Sequence, residues 1–258
     1  MTMNLQPSGV PASAVKRISS HARYETILLL RNGEQALLTI IIPLFIVIAL
    51  SKTTVLSLGN AAQGFARIQT VAPSVLALAI LSSAFTAQAI AVGFDRRYGV
   101  LTHIGTTPLG RRGLVISKTL AVTFIAALQV LLISAVAALL GWKPQGSILL
   151  AVGLMVLGIA AFSGIALLMA GTLRAEATLA GANLLFLLLL LGGGTVISSE
   201  QWPRSLARTI EFLPTAALAD GLRAILRDGS VPSLTQWLVL LVWAVIGIAL
   251  ASRFFKWD

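Results

Sequence analysis

The chain contains few side chains that could do acid–base, nucleophilic or metal chemistry. It has two histidines, His21 and His103, nine acidic residues and no cysteine in 258 residues. It has no H-E-x-x-H zinc motif, no EF-hand loop, no aspartate-rich cluster for magnesium and a diphosphate, and no G-x-x-x-x-G-K-[ST] loop for ATP. The sequence therefore predicts no catalytic residue, no metal site and no cofactor on this chain.

A second set of candidates consists of uncharged side chains inside long apolar stretches. Such isolated polar groups form hydrogen bonds between helices more often than they contact a substrate, so both interpretations stay open. An apolar run, 184–191, follows the last of the polar candidates. The candidates for a pathway between helices are Gln88, Gln129, Asn183, Phe186 and Leu187.

The composition indicates that these side chains are positioned by helices in a membrane. Charged residues make up 11% of the chain, against about 25% in ordinary soluble domains. Six uncharged intervals of at least 17 residues occur, at 35–51, 68–94, 119–142, 144–173, 177–199 and 229–252. Crossing the hydrocarbon core takes roughly 20 residues of helix. We predict an all-α integral membrane protein with six transmembrane helices rather than a β-barrel, whose strands would alternate in polarity.

The placement of basic residues predicts the orientation. With the N-terminus inside, twelve Lys and Arg residues lie in inner segments and seven in outer ones, as basic residues near span ends favour the cytoplasmic side. Residues 1–13 do not resemble a secretory signal. We expect a disordered cytoplasmic tail at 1–13, a single six-span domain at 14–258 and both termini in the cytoplasm.

Residues 14–31 precede the first span and have helical spacing of apolar positions with basic residues between them. Such a helix could lie along the inner leaflet, although an ordinary positively charged flank gives a similar pattern. Gly33 is expected to break the helix before the first span. The interfacial candidates are Arg23, Glu25, Arg31 and Glu34.

A short charged segment between the second and third spans forms a knob on the cytoplasmic side. Leu101 and Ile104 are three residues apart, which suits one buried edge of a short helix, and Gly105 and Pro108 end that helix.

The segment 202–227 is too long for a turn and too charged for a further span. Two amphipathic stretches flank Pro214, and Asp220 and Arg223 lie on the polar side of the second. This pattern predicts a re-entrant helical hairpin, with Pro203 near its start, that packs on the fifth and sixth spans. Three consecutive glycines, 192–194, predict a bend near the outer end of the fifth span, with close packing of small residues as the alternative.

The knob resembles the loop of the type-2 ABC export permeases, which include bacterial drug, lipid and polysaccharide exporters and are similar to the G-subfamily. That loop reads about E-R-E-x-G-T-L-E-x-L-x-x-T-P. The matching residues here are Gly99, Leu101, Thr107 and Pro108, with Asp95 as the first acid, Lys118 where a lysine often follows, and departures at Arg97, Val100 and Thr102.

The hairpin is also similar to the family pattern, P-x-x-x-x-x-D-x-L-R before a glycine. The residues in those places are Pro214, Asp220, Leu222, Arg223 and Gly229. The resemblance covers nearly the whole chain in the order of its elements.

The resemblance implies a permease dimer, identical or mixed, bound to two ABC ATPase subunits that carry ATP and Mg. The knob would be a coupling helix that is pushed by the ATPases. Its residues would be Asp95, Arg96, Arg97, Gly99, Leu101, Ile104 and Pro108. Spans two and five would then change the pathway, and the run 184–191 would close it between strokes.

The expected function is export of an amphiphile, such as a hydrophobic drug, a lipid or a lipid-linked molecule, across a bacterial cytoplasmic membrane. The spans contain no Asp or Glu that could replace the hydration of a cation. A polysaccharide exporter and a non-transporting anchor or regulatory subunit are the alternatives. A secondary carrier would show an internal repeat, and a membrane enzyme would need catalytic groups.

Overall fold

The computed structural model describes residues 12–52, 67–194 and 209–256, and these ranges contain helices joined by turns, with no strand. The helices are α1 (Ala14–Arg31), α2 (Gly33–Lys52), α3 (Arg67–Arg97), α4 (Val100–Gly105), α5 (Gly110–Leu139), α6 (Ile148–Thr172), α7 (Ala175–Gly192), α8 (Pro214–Leu226) and α9 (Leu234–Phe254). A π-helical segment, Ser82–Ala87, lies within α3. The predicted all-α class is confirmed.

Five of these helices, α3, α5, α6, α7 and α9, are long and apolar enough to cross a bilayer. At about 1.5 Å per residue, the 25 residues of α6 exceed the hydrocarbon thickness of about 30 Å. At the place of the predicted first span, α2 contributes a shorter apolar stretch, Thr39–Lys52. The chain is therefore a multi-pass helical membrane protein, and the count of six spans stays a prediction.

Local sequence signals set several helix ends. Ser13 caps α1 by accepting a hydrogen bond from the Lys16 amide, and Ser233 and Gln236 form a reciprocal capping box at the start of α9. The helix predicted over 14–31 is present with those bounds, and a new helix begins at Gly33.

Helices α6 and α9 approach each other closely. A Cβ atom added to Gly164 would lie 2.8 Å from the backbone of Gly247, so the two helix backbones touch through glycine. The same kind of contact lets Leu218 of α8 lie against Gly158 of α6. Small residues permit this close approach in membranes, where packing rather than hydrophobic burial drives helix association.

The fifth predicted span is shorter as a helix than its uncharged interval of 177–199. Helix α7 ends at Gly192, and Gly194 has a φ of +75°, a left-handed conformation that suits glycine. The helix therefore ends at the triple glycine, where the bend was predicted. Residues 1–11 of the tail predicted at 1–13, Pro203 and most of the first helix of the hairpin lie outside the described residues.

The bundle has two polar ends, named here by the short helices that lie there. At the α4 end are α1, α4, the end of α3 and the start of α5. At the α8 end are α8, the start of α3 and the end of α7.

Candidate functional site

The short helix α4 has one side buried against its own bundle and one side exposed. Gly99 precedes it with a φ of +73°, which reverses the chain after α3. Leu101 is fully buried beside Leu114, while Tyr98 and His103 are exposed. The predicted buried edge therefore attaches the knob to the permease itself, and the opposite side faces outward.

A buried lysine joins three helices at the α4 end. Lys118 of α5 is 4% exposed, and its Nζ atom donates to Glu25 Oε1 of α1 at 2.7 Å and to Asp95 Oδ2 of α3 at 2.8 Å. A buried ammonium group needs charged or polar partners on several sides. We call Glu25, Asp95 and Lys118 the Lys118 cluster, and it fixes α1 and the end of α3 to the start of α5.

His21 extends this cluster along α1. Its Nδ1 atom lies 2.9 Å from Ser117 Oγ, and its Nε2 atom lies 3.7 Å from Glu25 Oε1. Burial lowers the pKa of His21 below its ordinary value and is the largest influence. Glu25 and Asp95 oppose that shift, whereas Lys118 adds to it. The neutral imidazole is therefore the form that this environment favours.

Helix α1 also contacts the loop after α4, because the Arg17 guanidinium donates to the Pro108 carbonyl. The other predicted interfacial residues are placed differently. Arg23 and Arg31 are exposed, and the side chain of Glu34 lies outside the described part. Of these predicted residues, Glu25 is the one that the structure brings into the cluster.

The two arginines after Asp95 connect the end of α3 to the start of α7. Arg96 Nη1 donates to the Leu173 carbonyl at 2.9 Å, and Arg97 Nη1 lies 2.9 Å from Glu176 Oε1. The second contact is exposed on both sides, and such surface pairs contribute little to stability. It nevertheless places the knob beside the helix predicted to line the pathway.

A second buried cation lies at the α8 end. Arg223 is 4% exposed, and its guanidinium donates to Asp220 Oδ1 at 2.6 Å, to Ser74 Oγ of α3 at 3.0 Å and to the Gly194 carbonyl after α7. Pro214 begins α8 at a position that suits proline. We call Asp220, Arg223, Ser74 and the Gly194 carbonyl the Arg223 cluster.

Helix α3 connects the two clusters. Ser74 and Asp95 are 21 residues apart on it, which corresponds to about 31 Å of helix and matches the hydrocarbon thickness of about 30 Å. α3 is also the most buried of the five candidate spans. One continuous helix therefore carries a polar contact near each face of the membrane.

The predicted pathway residues do not share one cavity in the described part of the chain. Gln88 and Gln129 are buried, and Gln129 Nε2 donates to the Thr39 carbonyl of α2. On α7, Asn183 and Leu187 are exposed and Phe186 is half-buried. The two glutamines thus belong to the side near α2, and the α7 residues belong to another face.

Sequence reasoning placed Asp95 and Glu25 in separate sites, and it noted Lys118 in the family motif of the knob without giving it a role. The available signal was that Lys118 is the single charged residue between positions 113 and 142. Ser74 carried no such signal. In the described ranges, no group of three or more His, Cys, Asp or Glu side chains could hold a metal ion.

The family model for the ABC-2 type transporter matches residues 17–226, which include both clusters. The chain belongs to the ABC-2 type transporter family. This ABC-2 protein is therefore the membrane permease component of an ABC transporter, and its family generally works with ATPase subunits. No curated protein compared with this permease matches its sequence.

Proposed function

We propose that this ABC-2 permease is the membrane subunit of an ATP-driven exporter that moves an amphiphile across a bacterial cytoplasmic membrane. Residues 14–258 would form one permease domain, with residues 1–13 as a cytoplasmic tail. It would act as a homodimer or heterodimer with two ATPase subunits, which bind ATP and Mg and carry out the hydrolysis.

The observation that carries this proposal is the α3 helix with a buried cation cluster at each end. A push on α4 would reach Asp95 through the short turn at Gly99, and α3 would transmit it to Ser74 and Arg223. The hairpin helix α8 and the end of α7 would then move with α3, because Arg223 of α8 contacts Ser74 of α3 and the Gly194 carbonyl after α7. Contacts at both faces make α3 suited to link ATPase closure to the opposite side.

The α4 end would lie in the cytoplasm, where the ATPases are. The excess of basic residues in segments at this end supports that orientation. Single cysteines can test it, because the natural chain has none. An impermeant thiol reagent added outside should label Asp228→Cys, which is exposed at the α8 end, and should spare Tyr98→Cys at the α4 end. Labelling of Tyr98→Cys but not of Asp228→Cys would show that the orientation is the opposite of the one proposed.

The exposed side of α4 would be the surface that receives the ATPase. Replacing Tyr98 and His103 by alanine removes two exposed side chains, of which Tyr98 also stacks on the ring of Phe94. Transport-coupled ATP hydrolysis should fall, while the assembled protein keeps its thermal stability. Leu101→Ala is the contrasting variant. It leaves a cavity at a buried position and should therefore lower the thermal stability of the assembled protein.

An amphiphilic cargo is supported by the chemistry of the described spans. Glu176 and Asp95 lie at helix ends, and the helix interiors carry leucine-rich surfaces with few dipoles, such as Asn183. Moving an unpaired ion through such surroundings is costly. Leu184, Leu187 and Leu188 of α7 are exposed and would form the apolar wall of a pathway against a second permease chain.

The cargo is tested by ATPase activity of the complete complex in proteoliposomes, with lipids, hydrophobic drugs, sugars and metal ions as additions. Stimulation by amphiphiles is the expected result, and a complex with a hydrolysis-deficient ATPase is the control. Stimulation by sugars alone would favour the polysaccharide alternative. No stimulation by any compound, with normal assembly, would favour a non-transporting anchor.

A further inference from the structure

Basic residues from two helices that are distant in sequence meet at the α4 end of the bundle. Arg111 is the second residue of α5, Arg253 lies in the last turn of α9, and Lys256 follows α9. All three are exposed. Arg111 Nη1 donates to the Arg253 carbonyl at 3.5 Å, so the two helix ends are adjacent. We call Arg111, Arg253 and Lys256 the basic patch.

The residues after α9 are held in place on α6. Phe255 is 1% exposed, and a Cβ atom added to Gly171 would lie 2.5 Å from its ring. The Lys256 amide donates to the Gly171 carbonyl at 3.0 Å. The Arg253 guanidinium lies 5.7 Å from the centre of the Phe254 ring, an arrangement that cation–π attraction favours. Burial of Phe255 therefore fixes the backbone that carries both bases.

In the described part of the chain, no acidic side chain forms an ion pair with the basic patch. The acids described at the α4 end are Glu25 and Asp95, which share Lys118, and Glu176, which pairs with an arginine of α3. Asp258, an acid close in sequence, lies outside the described residues. Even with that acid, three bases give a net positive charge, and such a surface attracts an anion.

The depth of the basic patch corresponds to the lipid headgroup layer. Ile116 of α5 and Leu250 of α9 are exposed apolar side chains, as expected where hydrocarbon surrounds the helices. Arg111 precedes Ile116 by five residues and Arg253 follows Leu250 by three, which corresponds to about 8 Å and about 5 Å of helix. Each headgroup layer is about 5–7 Å thick. Both arginines therefore lie at the level of lipid phosphates.

The surroundings of the basic patch favour an anionic lipid over a soluble partner. Exposed apolar surface continues from the patch into the bilayer, where a protein in the aqueous phase cannot cover it. A zwitterionic lipid carries its own cationic group, which the three bases would repel. An anionic phospholipid brings negative charge without that group, and basic sites beside transmembrane helices attract such headgroups.

We propose that the basic patch binds the phosphate of an anionic phospholipid, such as phosphatidylglycerol, in the leaflet at the α4 end. The guanidinium groups of Arg111 and Arg253 and the Lys256 ammonium group donate to the phosphate oxygens, and the acyl chains lie along the exposed apolar side chains of α5 and α9. Arg112 is turned about 100° around α5 from Arg111, and the contact with α9 is made by Arg111. The inference does not depend on the identity of the cargo.

The test is native mass spectrometry of the purified full-length chain in detergent, with equal concentrations of palmitoyl-oleoyl phosphatidylglycerol and palmitoyl-oleoyl phosphatidylcholine. The two lipids have the same acyl chains and differ in net charge. Protein with one bound phosphatidylglycerol should exceed protein with one bound phosphatidylcholine at least five-fold. Equal binding of the two lipids would overturn the proposal, and this result depends on no variant.

Matched double variants locate the preference. Arg111→Gln with Arg253→Gln should lower the lipid ratio at least three-fold, whereas Arg111→Lys with Arg253→Lys, which keeps both charges, should lower it less than two-fold. Arg23→Gln with Arg112→Gln removes as many charges from exposed positions at the same end and should also lower it less than two-fold. Equal unfolding temperatures in lipid-free detergent show that the variants are folded.

Two results with these variants would overturn the proposal. An equal fall of the ratio in the Arg23 and Arg112 pair would show that general surface charge attracts the lipid. An unchanged ratio in the glutamine variant of Arg111 and Arg253 would show that the lipid binds elsewhere.

Discussion

Lys118 and Asp95 form an ion pair of 2.8 Å that joins the third predicted span to the end of the second. Glu25 approaches the same ammonium group from α1 at 2.7 Å. Helix α1 is thus attached, through Lys118, to the end of α3 that directly precedes α4. A displacement of α4 would consequently act on α1 as well as on α3.

Removing the charge of Lys118 should destabilise the α4 end. Lys118→Met leaves Glu25 and Asp95 as neighbouring carboxylates without their shared cation. We expect the free energy of unfolding to fall by about 2–3 kcal/mol, somewhat less than for a fully buried pair, because the Asp95 side chain is 31% exposed. Thermal unfolding in detergent measures the change, and Lys143→Met at an exposed position is the matched control.

Two further substitutions added to Lys118→Met test whether the unpaired carboxylates cause this loss of stability. Adding Glu25→Gln and Asp95→Asn to Lys118→Met removes the uncompensated carboxylates and should recover part of the lost stability. A Lys118→Met protein as stable as the Lys143→Met control would contradict the role assigned to the cluster.

Arg223 should be required for stability and for coupling at the α8 end. Arg223→Met removes the contacts to Ser74 and to the Gly194 carbonyl and leaves Asp220 without this arginine. A loss of about 3 kcal/mol is expected for a buried charge that loses its partner, together with uncoupling of ATP hydrolysis from transport. Arg112→Met, at an exposed position of α5, controls for the loss of one positive charge. Unchanged stability and transport in Arg223→Met would refute the proposed link between α3 and α8.

Mild acid should weaken the α4 end through His21. Burial lowers the pKa of His21 in the folded protein, so between that lowered pKa and the ordinary value of about 6.5 the unfolded chain binds more protons. Stability therefore rises with pH across this window and is lost as the pH falls through the folded-state pKa. The unfolding temperature between pH 5 and 7.5 should depend less on pH in His21→Gln than in the wild type. His103→Gln, which changes an exposed histidine, should behave like the wild type.

The glycine contact between α6 and α9 should not tolerate a methyl group. Gly164→Ala places a Cβ atom 2.8 Å from the Gly247 backbone, so the helices must separate, at a cost of about 1–3 kcal/mol. Gly181→Ala is the control, because its Cβ atom would meet Met169 Sδ at an ordinary 3.6 Å. Helix propensity should make that change neutral or slightly stabilising. Equal unfolding temperatures for the two variants would argue against the close approach.

Local signals predicted much of the fold correctly. The helix at 14–31, the short helix with Leu101 on its buried edge and the break at Gly192–Gly194 each depend on residues close in sequence. Pro214 at the start of α8 is a further example. These features follow from helical periodicity, capping and the conformational freedom of glycine, all of which can be read within a few residues.

The candidate site was only partly predictable, because it depends on contacts between distant residues. The coupling residues and Glu25 were assigned to different elements, and their shared contact with Lys118 joins positions 25, 95 and 118. Likewise, Gln88 and Asn183 are similar polar residues in apolar runs, yet one faces the α1–α2 side and the other is exposed on α7. Their roles in transport stay predictions.

The sequence by itself determined that this protein is a helical membrane protein and approximately where its long helices lie. Long uncharged runs and local capping residues impose those features wherever the helices lie relative to one another. Only the tertiary structure decided that Lys118 and Arg223 are buried at opposite ends of α3. A cation acquires its partners when helices distant in sequence pack together, and no local pattern specifies that arrangement.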